Sequence, residues 1–363
     1  MTLPAIDVCF RHSGPNLARR EASLDSAILV VLEFEVPLDD WQSHIRSLLE
    51  HVFLPVNPRF SSIMVTDESG ARKWKRAKVK LEDHVHVPEF PSSPLSENDD
   101  FLQGYFCRLA LEPLQQSRLL WEVHMINYRM TEAAGTVVFN LHHSLGDGYS
   151  IMGALISCLS RADDPSLPLT FPTSKARTCS TRGYVGKCKL KCLRTLPRVF
   201  ASVFNTPWDF GWSLLKSTCL VDDQTPIWSR QDGIEFRPLT IAAVSFSLGE
   251  IKQVKSRLRV VDCEDEKLFC SVPHGATARD DKEIQRARAK YIHRTLKNSS
   301  LTITHVVGPY EKMALMRRPI KGLYYMVSGA PRNLSVCIIS YAGKLRINVA
   351  AEKGFILYVW FQS

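Results

Sequence analysis

The sequence predicts an α/β protein with two lobes. Segments with the β-branched and aromatic composition of strands, and segments with a helical repeat of apolar residues, occur on both sides of a long middle stretch that shows neither pattern. A chain of 363 residues also has the length of two domains or of one large domain. We therefore expect an N-terminal lobe at 1–165, a basic and apolar linker at 166–235 and a C-terminal lobe at 236–363.

The N-terminal lobe is predicted to begin with a strand, a helix and a hairpin. AILVVLEFEV (27–36) has the composition of a strand. The next residues, 37–52, place four large apolar side chains on one helical stripe. FSSIMVTDESGARKWKRAKVKL (60–81) is predicted as a hairpin because Glu-Ser-Gly interrupts two strand-like runs. SPLSENDDF (93–101) is predicted as a loop from its turn-forming residues.

The remaining elements follow the same rules. SRLLWEVHMINY (117–128) and GTVVFNLHH (135–143) are predicted as an antiparallel pair because only a short connection joins them. A helix is expected at 150–160, where apolar residues recur on one face. The C-terminal lobe is predicted from one helix at 249–258 and four strands, at 239–248, 301–307, 334–340 and 344–350.

The predicted linker combines positive charge with apolar sequence. Residues 175–198 hold eight Lys or Arg residues and no acidic residue, within a chain of formal net charge +9. No stacking aromatics or known nucleic-acid module accompany this run, so we expect no nucleic-acid partner, and an anionic membrane surface or solvent remain as alternatives. Residues 199–221 are apolar and aromatic but interrupted, so they suit a membrane interface or the protein's own core.

Cysteine usage and the N-terminus indicate a protein that faces the cytosol. The ten cysteines include no Cys-x-x-Cys pair, and no histidine pair follows Cys188 and Cys192 at zinc spacing. We therefore expect reduced thiols, most of them buried. The first 25 residues lack an apolar core of signal-peptide length, and no stretch of about twenty residues is free of charge and proline, so neither a signal peptide nor a membrane span is predicted.

The motif HHSLGDG (142–148) is the strongest candidate for a functional site. Side chains alternate along a strand, so His142 and His143 point to opposite faces and cannot share one site unless the strand ends between them. One histidine is therefore expected to be functional and the other structural. His143, at the end of the strand, is suited to general-base catalysis because an unperturbed imidazole, with a pKa of about 6.5, is largely neutral at physiological pH.

The rest of the motif is predicted to shape a turn. Gly146 and Gly148 are expected to adopt conformations that other residues resist. Asp147 either hydrogen-bonds the ring of His143, as in a triad, or pairs with an arginine and fixes the turn. Metal binding by His142, His143 and Asp147 is disfavoured because the two histidine side chains point in opposite directions. The alternative to a functional site is a pair of histidines with structural roles only.

HHSLGDG resembles the motif of CoA-dependent acyltransferases, the superfamily of chloramphenicol acetyltransferase and the plant BAHD enzymes. LLWEVHMI (119–126) resembles a segment of the plant bifunctional wax ester synthase/diacylglycerol acyltransferases. NPRFSSIMV (57–65) and EDHVHVP (82–88) are similar to the N-terminal pattern of that family. Three C-terminal segments resemble its second domain: VVGP (306–309), RPIKGLYYMVSGAP (318–331) and LSVCIISYAGKLRINVA (334–350).

The resemblance implies a CoA-dependent acyltransferase fold with mixed sheets, flanking helices and an active-site channel between two lobes. It implies transfer of a fatty acyl group from acyl-CoA to a long-chain alcohol or to diacylglycerol, without a bound cofactor or a metal. His143 is then the catalytic base, His142 and Asp147 are structural, and Gly148 completes the motif. The cytosolic face of the endoplasmic reticulum membrane is the expected location, with the plasma membrane as an alternative.

The chain departs from the family pattern in its C-terminal half. Residues 259–298 contain no Asn-Asp pair, which the family carries after the strand and helix at 239–258, so the C-terminal lobe is expected to be incomplete. Two other functions therefore stay open. One is a catalytically impaired relative that still binds lipid or acyl-CoA, and the other is a BAHD-like acyltransferase for a small hydroxylated metabolite.

Overall fold

The computed structural model describes residues 26–38, 41–68, 72–90, 95–146, 148–169, 212, 215, 239–258, 299, 301–329 and 334–352. The strands within these ranges are β1 Ala27–Phe34, β2 Ser62–Thr66, β3 Arg72–Arg76, β4 Val85–His86, β5 Trp121–Ile126, β6 Gly135–His142, β7 Ser160–Arg161, β8 Leu239–Ser247, β9 Thr302–Val307, β10 Met313–Leu315, β11 Arg318–Ser328, β12 Leu334–Tyr341 and β13 Lys344–Glu352. They form two main sheets and a separate hairpin. The strand order is β4-β5-β6-β1-β11-β10-β7 in the first sheet and β8-β13-β12-β9 in the second.

Helices flank both main sheets. The α-helices are α1 Trp41–Leu48, α2 Leu95–Leu111, α3 Gly148–Ser157 and α4 Leu248–Leu258. After α1 the chain continues through a π-helical turn, Leu49–Phe53, and a short helical turn, Leu54–Val56. Short 3₁₀ turns occur at Pro58–Ser61, Leu81–Asp83 and His143–Leu145. Both main sheets mix parallel and antiparallel pairs, because β4 is parallel to β5 and β9 is parallel to β12. The predicted α/β class with mixed sheets and flanking helices is confirmed.

Strand β1 lies at the centre of the first sheet. It pairs antiparallel with β6 on one side and with β11 on the other, and all eight of its residues are buried. A strand that is covered on both faces needs a nearly continuous apolar run, and AILVVLEF supplies it. This composition explains why the strand was predictable from the sequence.

Aromatic side chains pack the first sheet against the helical segment after α1. Phe53 stacks on Phe60 with their ring centroids 4.2 Å apart, and Trp121 meets Phe53 edge to face at 5.3 Å. The Trp121 indole Nε1 donates a hydrogen bond to the Phe60 carbonyl at 2.8 Å. The ring of Phe139 completes the cluster on β6. Such rings bury large apolar areas, and the indole keeps its one polar atom paired.

Helix α2 covers the opposite face of the first sheet, where a loop was predicted at 93–101. That prediction was wrong because its polar residues serve tertiary contacts. Asn98 donates to the Arg129 carbonyl at 3.0 Å, and the Asp99 carboxylate accepts from the Thr131 amide at 3.2 Å. The buried face of the helix lies further along the chain, at Tyr105, Phe106 and Leu109. Tertiary contact thus overrides the local turn propensity.

The chain does not divide between the two main sheets at one point. Strands β10 and β11 lie within the range predicted for the C-terminal lobe, 236–363, yet both belong to the first sheet, where β11 pairs with β1 over its length. The second sheet contains only β8, β9, β12 and β13 among the described residues. Any division of the chain into 1–165 and 236–363 must therefore allow the β10–β11 hairpin to cross between the lobes.

A buried ion pair joins the two sheets. Arg346 on β13 donates to the Glu33 carboxylate on β1 at 2.6 Å, and its guanidinium lies 3.9 Å from the ring centroid of Tyr324 on β11. Gly322 faces Glu33 across the sheet, and a Cβ at Gly322 would lie only 2.1 Å from the carboxylate. The absence of a side chain at Gly322 therefore makes the space that the pair occupies.

The predicted linker, 166–235, lies outside the described residues apart from 166–169 and two exposed side chains, Trp212 and Leu215. Residues 199–221, for which a membrane interface is one prediction, also lie outside the described residues apart from 212 and 215. The same is true of residues 259–298. Among the residues that the structure does describe, no helix has the length and apolar character needed to cross a bilayer.

We predict that Arg346→Ala lowers the free energy of unfolding by about 3–5 kcal/mol, because it leaves the Glu33 carboxylate buried without its partner. Glu35→Ala serves as the matched control, since Glu35 pairs with Lys312 at the exposed surface of the same region. Its loss is expected to cost less than about 1 kcal/mol. Urea unfolding followed by tryptophan fluorescence measures both. Equal losses in the two variants would contradict a special role for the buried pair.

Candidate active site

Strand β6 ends between the two histidines of the motif. All eight residues from Gly135 to His142 are buried, and the chain then turns through a 3₁₀ segment, His143–Leu145, before α3 begins at Gly148. The two histidines therefore occupy different environments because the strand ends between them, and the expected alternation does not extend to His143. His142 is 6% exposed, whereas His143 is exposed.

His142 caps the turn that carries His143. Its Nδ1 accepts a hydrogen bond from the Ser144 amide at 3.0 Å, and the Ser144 hydroxyl lies 2.7 Å from the same nitrogen. Since a backbone amide can only donate, Nδ1 is unprotonated and the ring proton resides on Nε2. His142 thus caps the turn, and its predicted structural role stays a prediction.

His143 is held by its backbone and presents its ring at the surface of the described structure. Its amide donates to the Ser26 carbonyl at 2.9 Å, which extends the pairing beside β1 by one residue. The residue as a whole is exposed. An accessible imidazole on a fixed backbone is the geometry that a general base needs.

Arg59 supports the histidine turn from outside. Its guanidinium donates to the carbonyls of Ser144 and Leu145 at 3.3 and 3.5 Å and lies 5.8 Å from the Trp74 ring centroid. Partial burial lowers the pKa of the Arg59 guanidinium from its ordinary value. The Asn57 side chain caps this segment by accepting from the Arg59 amide at 3.0 Å. The sequence predicts an arginine as one possible partner of Asp147, but it does not indicate Arg59. Arg59 and Ser144, which it contacts, are 85 residues apart in the chain.

Neither glycine of the motif has an unusual backbone, and only Gly146 provides space. Gly146 is extended, with φ 171° and ψ 170°, and Gly148 is absent from the residues with positive φ. The predicted conformational reason for both glycines was therefore wrong. A Cβ at Gly146 would meet Ser150 Cβ at 3.2 Å, so the glycine allows α3 to pack closely on the turn. Asp147 itself lies outside the described residues, and its two predicted roles stay open.

A second polar cluster lies on the neighbouring strands. The parallel pairing of β4 with β5 sets His86 beside His124, with ring centroids 5.0 Å apart. His124 Nδ1 lies 2.7 Å from the Tyr105 hydroxyl, and its Nε2 lies 3.4 Å from the Glu122 carboxylate. Burial alone raises the pKa of Glu122, but the facing rings of His124 and His86 outweigh burial, and the pKa lies below its usual value. Burial raises the pKa of Tyr105 to about 12.

This cluster unites two motifs that the sequence separates. EDHVHVP contributes His86, and LLWEVHMI contributes Glu122 and His124. The parallel pairing of β4 with β5 could not be predicted, because pairing of distant strands leaves no local pattern in the sequence. Among the described residues, no group of three or more His, Cys, Asp or Glu side chains is arranged to hold a metal ion.

The fold is that of the CoA-dependent acyltransferases. A solved structure, the wax ester synthase/diacylglycerol acyltransferase from Marinobacter aquaeolei VT8, superposes with a TM-score of 0.55 at 14% sequence identity, over 95% of this chain and 94% of that chain. At this identity the likeness establishes the fold alone. The predicted fold class is confirmed.

The chain belongs to the wax ester synthase/diacylglycerol acyltransferase family. The family model for the "Wax ester synthase/diacylglycerol acyltransferase catalytic domain" matches residues 40–261, and the "WS/DGAT C-terminal domain" matches residues 283–361. Family membership confirms the resemblance that the motifs indicated and favours it over a BAHD-like enzyme.

Curated relatives from Arabidopsis thaliana are about 30% identical to this chain over the aligned segments. Wax ester synthase/diacylglycerol acyltransferase 11 is 32% identical over 216 residues, which cover 58% of this chain and 43% of the relative. Wax ester synthase/diacylglycerol acyltransferase 4 is 30% identical over 210 residues, covering 56% of this chain and 40% of the relative. The matched part of the chain thus spans about two fifths of the length of these relatives.

We predict that Arg59→Met lowers the free energy of unfolding by about 1–3 kcal/mol, because two carbonyls of the histidine turn lose a charged donor. Methionine keeps most of the apolar stem, so the change isolates the loss of the guanidinium. Arg59→Lys should recover part of the loss, since one ammonium can reach one carbonyl. Thermal and urea unfolding measure the three proteins. A methionine variant as stable as the wild type would show that the turn holds without Arg59.

Proposed function

We propose that the protein transfers a fatty acyl group from acyl-CoA to the hydroxyl of a long-chain alcohol or of diacylglycerol. The observation that carries the proposal is the exposed ring of His143 on a turn fixed by His142 and Arg59. Membership in the wax ester synthase/diacylglycerol acyltransferase family supports the choice of acyl-CoA and lipid alcohols as substrates. The channel between the lobes, which the resemblance implied, is the proposed meeting place of the two substrates.

The proposed chemistry needs one base. A lipid hydroxyl is a poor nucleophile because its pKa lies far above 7. His143 takes the hydroxyl proton while the oxygen attacks the thioester carbonyl carbon, and a tetrahedral oxyanion forms. The C–S bond then breaks, the new ester remains, and the departing CoA sulfur takes the proton from the imidazolium. General-base assistance of this kind contributes roughly a hundred- to ten-thousandfold, and holding both substrates together supplies more.

The other residues of the motif are proposed to position the base. His142 and Arg59 hold opposite sides of the same turn, one through Ser144 N–H and the other through the Ser144 carbonyl. Asp147 is proposed to stabilise the turn, and Gly148 starts helix α3 directly after it. Because a small displacement of a catalytic group slows a reaction strongly, these residues affect the rate without touching the substrate.

We predict that His143→Ala abolishes acyl transfer and leaves the fold intact, because the ring is exposed. His142→Ala is the matched control on the adjacent residue. It should retain measurable transfer but lower the melting temperature, since the turn loses its cap. The assay follows radiolabelled acyl-CoA into wax ester with hexadecanol and into triacylglycerol with diolein, beside circular dichroism melts. Equal loss of transfer in two equally stable variants would contradict the division of roles.

A catalytically impaired relative is the second candidate. The absence of an Asn-Asp pair from 259–298 favours it, since the family pattern places that pair after the strand and helix at 239–258. Such a protein would bind acyl-CoA by calorimetry and transfer nothing to either acceptor. Measured transfer with the wild-type chain excludes this candidate, so the same preparation decides between the two functions.

We also propose that the protein works at the cytosolic face of the endoplasmic reticulum membrane, where its lipid substrates dissolve. The eight basic residues of 175–198, followed by the apolar and aromatic segment 199–221, are the support for a membrane partner. The plasma membrane remains an alternative location with the same surface chemistry.

We predict that the protein sediments with vesicles containing anionic lipid and that added salt releases it, because screening weakens surface electrostatics. Replacing Lys187, Lys189 and Lys191 by glutamine should reduce binding several-fold. Replacing three exposed lysines at the hairpin, Lys75, Lys78 and Lys80, gives a control with the same change of charge. Equal effects of the two triple variants would show that net charge, and not the basic run, sets the attraction.

A further inference from the structure

A cluster of four side chains joins three elements at the beginning of β5. Glu122 and His124 belong to β5, His86 to the edge strand β4, and Tyr105 to α2. Each imidazole faces one oxygen of the Glu122 carboxylate, with His124 Nε2 at 3.4 Å and His86 Nε2 at 4.0 Å. In this histidine cluster, one carboxylate therefore lies between two rings that come from neighbouring strands.

The contacts within the histidine cluster suit neutral imidazoles and an ionised carboxylate. A carboxylate can only accept, so a neutral His124 meets Glu122 best with its proton on Nε2, and Nδ1 then accepts from the Tyr105 hydroxyl at 2.7 Å. Tyr105 keeps its proton because burial raises the pKa of its hydroxyl to about 12. A doubly protonated His124 ring would require the Tyr105 hydroxyl to turn its proton away from Nδ1.

The histidine cluster lies where β5 supports the histidine turn. Glu122 is the second residue of β5, and the Leu120 carbonyl just before this strand accepts from the His142 amide at 3.0 Å. The residue between them is held as well, because His84 Nδ1 donates to the Trp121 carbonyl at 2.9 Å. A displacement of the beginning of β5 therefore moves the backbone from which the histidine turn starts.

The other charges near the histidine cluster offset one another. Within the described part of the chain, two arginines and two acids act electrostatically on the cluster or on the adjacent His84. They are Arg108 and Glu112 of α2, Arg118 of the loop after α2, and Asp83 of the turn before β4. The balance of charge among the rings therefore depends on Glu122, the anion that lies between them.

We propose that Glu122 is a positioning residue for the histidine turn, and that its hold on His86 and His124 loosens when the imidazoles take up protons. The carboxylate fastens β4 to the beginning of β5 and, through His124 and Tyr105, fastens α2 there as well. Protonated rings whose centroids are 5.0 Å apart repel each other. Strand β4 is two residues long, so few ladder hydrogen bonds oppose its release.

The direction of the pH effect follows from the titration of the rings and the carboxylate. Burial lowers the pKa of His86, the neighbouring His124 lowers it further, and Glu122 opposes both. Burial also lowers the pKa of His84. Such rings bind fewer protons in the folded than in the unfolded chain, so stability falls as the pH drops below about 6.5. Despite its burial, the histidines keep the pKa of Glu122 below its usual 4.5, so its contribution is lost at still lower pH.

Melting temperatures test the pH response. We expect the wild type to lose stability from about pH 7.5 to about pH 5.5, and His86→Gln to lose at most about half as much, because glutamine is polar but takes up no proton. His51→Gln is the matched control, since His51 is an exposed histidine on the helical segment after α1. It should lose as much as the wild type. Equal losses in the wild type and His86→Gln would overturn the pH response, as would equal protection in the two variants.

Hydrogen exchange and kinetics test the positioning role at constant neutral pH. In Glu122→Gln, peptides that cover residues 135–146 should exchange faster, and kcat with hexadecanol should fall about three- to tenfold while KM for palmitoyl-CoA stays within twofold. Glu122→Asp should recover part of both effects, because it keeps a carboxylate. Glu132→Gln makes the same change at an exposed residue of the β5–β6 connection, paired with Lys321, and should alter neither measurement.

Because the positioning role rests on the proposed acyl transfer, the experiment lets the two fail separately. Melting and hydrogen exchange need no turnover. A wild type that transfers nothing, but whose residues 135–146 exchange faster in Glu122→Gln, would refute the acyl transfer and retain the hold of Glu122 on the turn. A wild type that transfers, with exchange and kcat unchanged in Glu122→Gln, would refute the positioning role and retain the acyl transfer.

Discussion

The arrangement of the two sheets depends on one buried ion pair, Glu33 with Arg346. Glu33 interrupts the apolar run of β1 at a position where Gly322 of β11 stands opposite, and Arg346 reaches it from the second sheet across the face of Tyr324. Burying two charges is favourable only when their geometry is good and both remain paired. The pair therefore contributes less to net stability than to register, because any other placement of β13 over β1 would leave a carboxylate buried alone.

A rigid strand and an exposed ring are combined at the histidine motif. Strand β6 is buried from its first residue to its last, so its end has a fixed position, and the chain leaves the core within one residue. His142 belongs to the core and uses its Nδ1 as an acceptor in the turn, whereas His143 is exposed. Adjacent residues can have such different roles because the alternation of a strand stops where the 3₁₀ turn starts.

Local patterns in the sequence predicted much of this structure, and pairings between distant segments account for what was missed. The strand β1, the β5–β6 pair, the β2–β3 hairpin and the β12–β13 hairpin all follow from composition and short connections. The insertion of β11 beside β1 and the parallel β4–β5 pair depend on contacts that leave no periodic signal. The same limit applies to the site, where the contacts of Arg59 with the histidine turn could not be predicted because the two segments are 85 residues apart.

Unpaired polar atoms are concentrated on one face of the first sheet, and their placement indicates which face is used. Thr136 and Asn140 project from β6 on the side that carries α2, and each has a side-chain oxygen without a partner in the described structure. The opposite face, packed with Phe53, Phe60, Trp121 and Phe139, pairs its one indole nitrogen. A fold selected only for stability would pack both faces with apolar side chains and leave no polar atom unpaired. The polar face of β6 therefore carries a cost that packing does not explain.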